Sequence, residues 1–298
     1  LPPSTYPAAV NALIDWSATR YGALCAQLLA ETGIDARYEV SGLHIHPSPS
    51  APLSEGEMGT YLPHVAQVHN PSLCRALAAA LRLRGVAIHE HTTAHVWLVD
   101  GITQGVKIGD EGIAADTVVL ATGAWMDLAG TSLTVQPVKG QMLRLMPVTS
   151  PVPPPPPNTR KLASGTPTRG EGAPSIQLFP THYLIPRRDG SLLLGSTVEQ
   201  VGFDTHPTAA AKGALLKHAM DAGLDCQAFT ITHHWAGLRP QIAERDTPII
   251  AGHPTLKNAW LNTGHYRNGI GSALASGQLL ANLVAGESPI MDITPYAP

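Results

Sequence analysis

Two arginines and a tyrosine carry the most specific chemistry in this 298-residue sequence. Arg239 sits in Gly237-Leu238-Arg239-Pro240, a turn expected after the apolar run Phe229 to Trp235. Arg267 lies in the polar, glycine-rich segment Asn262 to Gly271. A guanidinium matches a carboxylate through two parallel hydrogen bonds, so two of them at strand ends suit the grip of a small carboxylic acid. Tyr183, within the apolar stretch Ile176 to Pro186, can add a hydroxyl to the same anion. Plainer roles stand beside these: turn arginines are often solvated or cap carbonyls, and strand tyrosines often fill a core.

Other reactive residues form weaker patterns. There is no GxSxG, and Cys25, Cys74 and Cys226 have no persuasive histidine partner for nucleophilic catalysis. His44 and His46 have HxH spacing on one strand face; with no third ligand in view, a solvated strand end is preferred to a metal site. Adjacent His233 and His234 cannot face one side of a strand, so at most one points to a site. Lys139 is either a catalytic amine or, as strand lysines usually are, a surface cap.

The elements that must hold the arginines follow from periodicity. Ala259 to Leu261 is a short buried strand, Asn262 to Gly271 a glycine turn, and a helix follows with Leu274, Gly277, Gln278, Ala281 and Val284 at the spacing of one face. A strand, glycine turn and helix N-terminus present free backbone N–H groups to an electron-rich ligand. The ATG at Ala121, Thr122 and Gly123 closes a second apolar run, Thr117 to Ala121, expected to be a parallel strand buried on both faces.

Further elements fill in the order. A helix spans Ala8 to Glu31, capped by Ser4 or Thr5 and stopped at Gly33; another begins at Asn70-Pro71, with Asn70 as cap, Leu73, Leu77 and Leu81 as its buried face, and Gly85 as its end. Strands are expected at Ala36 to Ile45, at Val86 to Ile88, in a hairpin turning at Asp100-Gly101, and at Val135 to Met146 with a break at Lys139-Gly140. Pro147 to Pro174 is a proline-rich surface excursion, with a polyproline ligand as a minor alternative. Ile176 to Pro186 and Ser191 to Val198 flank a hairpin turn at Arg188-Asp189-Gly190, and Ala209 to Ala222 is a helix. The mixture predicts an α/β nucleotide-type domain interleaved with an antiparallel substrate domain.

Composition excludes several classes. A net charge of -3 gives no footprint for nucleic acid, and no apolar run approaches the roughly 18 residues of a membrane helix. Three scattered cysteines without a CxxC argue against a disulfide framework and for a reducing, cytoplasmic setting. A homo-oligomer is compatible with the sequence.

Taken in order, ADTVVLATGAW (Ala115 to Trp125), PVKGQMLRL (Pro137 to Leu145), YLIPRRDGSLLLGSTVEQVGFD (Tyr183 to Asp204), WAGLRP (Trp235 to Pro240) and GHYRNGI (Gly264 to Ile270) resemble the FAD-dependent D-amino-acid oxidase family. Within it the match is nearest to glycine oxidases of the thiamine pathway. The resemblance implies FAD as cofactor and oxidation of a small amino acid to a 2-oxo acid, ammonia and hydrogen peroxide. It implies that Arg239 binds the substrate carboxylate, that Arg267 assists and that Tyr183 lines the pocket. Flavin contacts would come from Ala94, Ala121, Thr122, Gly123, Gly264, His265, Tyr266, Arg267, Asn268, Gly269, Ile270 and Gly271.

On that basis 1–34, 64–130 and 245–298 form the flavin domain, and 35–63 with 131–244 the substrate domain. The family's opening strand, GxGxxG turn and helix are absent from these residues, so the flavin domain is expected to lack its N-terminal βαβ unit. Two other outcomes remain open: a D-amino-acid or sarcosine oxidase or dehydrogenase of the same family, and a non-catalytic remnant that holds no flavin.

Overall fold

A computed structural model describes residues 6–46, 59–128, 132–148 and 175–298. Ser4, Thr5 and residues 149–174 of the proline-rich excursion lie outside them. The first elements are α1 (Ala8–Thr32), β1 (Glu39–Val40), β2 (Leu43–Ile45), β3 (Thr60–Leu62), β4 (Ala66–Gln67) and α2 (Asn70–Leu83). β5 (His95–Val99), β6 (Ile102–Ile108), β7 (Glu111–Ala114), β8 (Val118–Leu120) and β9 (Val135–Pro147) follow. Then come β10 (Ile176–Leu178), β11 (Tyr183–Pro186), β12 (Leu192–Gly195), α3 (Ala209–Asp221) and β13 (Phe229–Ile242). The chain closes with β14 (Ile249–Gly252), β15 (Ala259–Thr263) and α4 (Gly269–Ala285).

The α/β class is as expected, and the chain divides into two discontinuous compact units. One comprises 39–67 and 138–238, the other 2–38, 68–137 and 239–298.

In the first unit a seven-stranded sheet runs β13-β9-β12-β11-β10-β2-β3, with β10 parallel to β2 and the pairs β9–β12, β12–β11, β11–β10 and β2–β3 antiparallel. Alternation along β9 sends Leu143 and Leu145 to one face, where they meet Leu184, Leu194 and, from α3, Leu215 and Ala219. Thr208 starts α3 by accepting the Ala211 N–H on its hydroxyl. The stretch expected as one strand from Ile176 to Pro186 is a hairpin, β10 and β11, turning at Phe179 to His182. The break expected at Lys139-Gly140 is absent, because β9 runs through it with partners beyond. Ala36 to Ile45 is likewise two short strands in different sheets, parted at Ser41-Gly42.

In the second unit α1 packs against α4 and α2. Leu13, Ala275, Leu279, Ile250 and Tyr296 form one core; Tyr21, Cys25, Leu28, Leu73, Ala76 and Ala80 form another. α1 stops at Gly33, whose φ of 70° favours glycine and whose N–H donates to the Leu29 carbonyl. The cap of α2 is His69 rather than Asn70, and Pro71 sits in the first turn, where a missing N–H costs nothing. Its buried side is Ser72, Leu73, Ala76 and Ala80, so Leu77 and Leu81 face outward at 36% and 43% exposure, contrary to expectation. The small side chains of Ala76 and Ala80 let α2 approach α1 closely, which turns the leucines away.

The Asp100-Gly101 hairpin forms as expected, with φ of 51° and 76° at the two positions. Val86 to Ile88 is not a strand; nothing among the described residues pairs with it. β8 pairs in parallel with β15 in the sheet β14-β15-β8, but at its edge, so Val119 is 45% exposed instead of buried on both faces.

Candidate functional site

The C-terminal ends of the parallel strands β8 and β15 lie side by side, and each opens into a glycine turn. After β8, Ala121 and Thr122 are exposed and Gly123 has φ 60°. After β15 the chain turns at Gly264 to Asn268 and enters α4 at Gly269. The Thr263 hydroxyl donates to the Gly123 carbonyl at 3.4 Å, tying the two turns together. The edge of an α/β sheet beyond its strands' carboxyl ends is where such folds receive ligands.

Gly264 is fixed by close approach. Its φ is 80°, and a Cβ there would fall 2.3 Å from Ile242 Cδ1. Gly123 is the opposite case: a Cβ would meet nothing within 4 Å, and one at Gly269 would meet only His265 Cβ at 3.9 Å. The backbone of both turns is therefore open to close approach. α1 supports the helix start from behind. The Tyr21 hydroxyl donates to the Ile270 carbonyl at 2.5 Å, and burial pushes that phenol up to about 12.

His265 is held on both sides. Its Nε2 meets Asn262 Oδ1 at 2.7 Å and its Nδ1 meets Ser272 Oγ at 2.9 Å. Burial lowers it to about 4, so the ring is neutral and stiffens the turn without adding charge. Arg267 is exposed and lies 5.4 Å over the Tyr266 ring, while Tyr266 itself is left-handed at φ 46°.

Arg239 occupies a different setting from the one expected. Gly237 to Pro240 is no turn but part of β13, which continues to Ile242. Pro240 is tolerated because β13 is an edge strand, where one side of the backbone needs no donor. The Tyr266 N–H donates to the Pro240 carbonyl at 2.9 Å. Arg239 and Arg267, each one residue away from that bond, thus belong to neighbouring backbone segments of one unit.

Tyr183 belongs to the other unit, half-buried on β11. It stands opposite Gly195, and a Cβ at that glycine would lie 2.9 Å from the tyrosine ring. The Tyr183 hydroxyl contacts Met142 Sδ at 3.5 Å. Ala94 sits in exposed chain just before β5, in the unit of the two arginines.

The lesser candidates resolve differently. Lys139 is neither a surface cap nor a free amine: it is 1% exposed, and its ammonium donates to Asp204 Oδ2 at 2.8 Å and to the His206 carbonyl at 2.9 Å. His44 and His46 are not a solvated strand end, since His44 stacks on Tyr61 and His46 on Phe179. No cluster able to hold a metal occurs among the described residues. His234 bonds Gln141 Oε1 at 3.0 Å while His233 is exposed, so the pair splits across the strand as its spacing requires. Sequence reasoning missed Gln141 and Glu199, whose only signal was polar residues at the end of an apolar strand face.

A sequence profile described as FAD dependent oxidoreductase matches residues 5–283. The glycine oxidase of Pseudomonas aeruginosa is 36% identical over 330 residues, covering 99% of this chain and 85% of that protein. The bifunctional protein ThiO/ThiG of Trichormus variabilis is 36% identical over 232 residues, which is 76% of this chain and 32% of that protein. Among solved structures, the crystal structure of glycine oxidase from Geobacillus kaustophilus aligns with a TM-score of 0.80 at 25% identity, over 98% of this chain and 84% of that one.

Proposed function

The chain belongs to the FAD-dependent oxidoreductase family, and from that premise we propose that it oxidises glycine or another small amino acid. Water and oxygen are consumed, and a 2-oxo acid, ammonia and hydrogen peroxide are released. The relatives named glycine oxidase support this substrate class, and ThiO/ThiG supports a place in thiamine-thiazole synthesis. The residue ranges 2–38, 68–137 and 239–298 form the flavin half in this reading, and 39–67 with 138–238 the substrate half. Scattered free cysteines fit a cytoplasmic enzyme. No described helix is long and apolar enough to cross a membrane.

Bound FAD supplies the acceptor for the hydride lost from the substrate Cα. The residues present fit its ring: Gly123 and Gly269 leave open space, and the start of α4 offers N–H groups and a positive dipole end to the electron-rich edge. The 298 residues contain no GxGxxG turn for the pyrophosphate. Ala94, Ala121, Thr122 and the stretch Gly264 to Gly271 are the remaining flavin contacts in this reading. Arg239 and Arg267 hold the substrate carboxylate, and Tyr183 supplies a hydroxyl. Orientation of the Cα–H bond does most of the work, so no strong acid or base is required.

The observation that carries the reading is the Tyr266–Pro240 hydrogen bond, which sets the two arginine segments side by side. The test is direct. Purified protein supplied with FAD should absorb between about 350 and 500 nm, the flavin range, and release peroxide when given glycine. Flavin-loaded protein that reduces a dye yet makes no peroxide would overturn the oxidase assignment. Protein that stays colourless with FAD would overturn the flavoenzyme assignment.

A further inference from the structure

Beneath the sheet of the first unit, the apolar row Leu143–Leu145 on β9 gives way to Gln141 and Lys139 on the same face, 0% and 1% exposed. A buried cation and a buried amide are costly unless fully paired. Both are paired, and nearly all their partners come from one segment, Thr197 to Thr208. Lys139 reaches Asp204 and the His206 carbonyl, with Glu199 Oε2 at 3.8 Å. Gln141 Nε2 donates to Glu199 Oε1 at 2.8 Å, and Gln141 Oε1 accepts from the Thr208 N–H at 2.8 Å. The Thr197 hydroxyl closes the loop by accepting the Gln141 N–H at 2.9 Å and bonding Glu199.

The backbone register shows what this network holds. Gly195 stands opposite Met142, and Glu199 stands opposite Lys139. That is four steps along one strand against three along the other, so one extra residue is accommodated around Ser196. Such a bulge flips the alternation, and it is a common device for re-aiming side chains near a site. Here it turns Thr197 and Glu199 inward to meet Gln141 and Lys139. The bulge begins at Gly195, the floor on which the Tyr183 ring lies, and Met142, which meets the Tyr183 hydroxyl, is the neighbour of Gln141. A sheet glycine covered by a cross-strand aromatic ring fixes that ring only as firmly as its own backbone is fixed.

We propose that Lys139 and Gln141 are positioning residues: by locking the bulge at Ser196 to β9 they hold Gly195 and Met142 under Tyr183, and so set where its hydroxyl meets the substrate. This rests on the reading of Tyr183 as a substrate-binding residue. Lys139 is itself buried, and it reaches its exposed partner Asp204 from beneath the loop, so the cation cannot be rehydrated without giving up these contacts.

The test is a double-mutant cycle on flavin-loaded protein, with glycine kinetics and acetate binding by calorimetry as the two readouts. Lys139→Met should raise KM about tenfold while kcat changes less than about threefold, and Lys139→Arg should restore part of the loss. In a Tyr183→Phe background the same change should add less than about twofold, because both act through one hydroxyl. The acetate Kd should follow KM in all four proteins. If Lys139→Met does not fold, Glu199→Gln, which keeps its size and removes one charge, carries the same cycle. Independent, multiplying effects in the two backgrounds, or an equal loss in kcat with KM unchanged, would overturn the inference alone. An unchanged KM in Tyr183→Phe would remove Tyr183 from the site, and the inference would fall with it.

Discussion

The amide of Tyr266 is bonded to the carbonyl of Pro240 at 2.9 Å, and this contact stitches an edge strand to the turn that starts α4. Each partner has an arginine beside it in the chain. A carboxylate gripped by Arg239 gains charge-assisted, bidentate hydrogen bonds that a lysine cannot copy. Arg239→Ala is expected to weaken substrate binding by about 2–5 kcal/mol, and Arg239→Lys to recover little of it. Flavin content should be unaffected. Steady-state kinetics beside an absorbance spectrum of each variant checks this, and wild-type KM in Arg239→Ala would take that residue out of the site.

Gly264 should tolerate no side chain. Alanine there must adopt φ 80° and displace Ile242 Cδ1 from 2.3 Å, in a core shared with Ile249 and Leu261. The strained backbone and the overpacking together should cost more than about 1 kcal/mol. Gly123→Ala is the contrast, with an empty surround but φ 60°. It should lose flavin affinity more than stability. Thermal melts and FAD titration of both variants separate the two effects.

Acid should destabilise the protein through two histidines. His182 is buried beside Phe179 and stacked within 5.9 Å of His218. Burial first, then the charges of His218 and His46, with Asp221 opposing them, bring it to about 4; burial alone brings His265 to about 4. In the unfolded chain both titrate near 6.5, so between these values the unfolded state binds more protons. Stability is complete above about 6.5 and falls as pH drops toward 4, by at most about 3 kcal/mol for His182. Urea midpoints at pH 7 and pH 5 measure the slope. His182→Phe, which keeps the stack without the ring nitrogens, should flatten it.

The rotation of α2 is also testable. Leu73 is buried with Tyr21 and Leu28, whereas Leu81 faces outward. Leu73→Ala should cost about 2–5 kcal/mol and Leu81→Ala within about 0.5 kcal/mol. Equal costs in chemical denaturation would contradict the helix orientation.

These cases show what could be read in the sequence. Several local signals held: Gly33 and Asp100-Gly101 adopt the positive φ that their types invite, and Pro71 falls in a first helical turn. Signals that depend on a neighbour did not. Leu77 and Leu81 have the spacing of a core face, yet Ala76 and Ala80 face α1 instead. On α4 the row Gly277, Gln278, Ala281 and Val284 is exposed, and Ala275, Leu279 and Leu280 are buried. Gly140 and Pro240 looked like strand breaks, but a sheet tolerates the one through paired neighbours and the other at its rim. The glycine turns after β8 and β15 were legible as turns. The pairing of Arg239 with the segment of Arg267 needed the fold, since 28 positions of chain separate them and a backbone bond from Tyr266 to Pro240 is what joins their surroundings. Lys139 was misjudged because its partners lie some 60 residues on, in a loop with no periodicity of its own.

The exposed margin of β8 has a practical consequence. A strand with one ladder unfilled among the described residues and an aliphatic side chain at its middle, Val119, is a template for adventitious β-pairing between molecules. Concentrated samples should therefore self-associate in a manner that rises with protein concentration and resists salt. Val119→Lys should suppress that in light scattering while leaving glycine turnover intact, giving a better-behaved stock for crystallisation and spectroscopy.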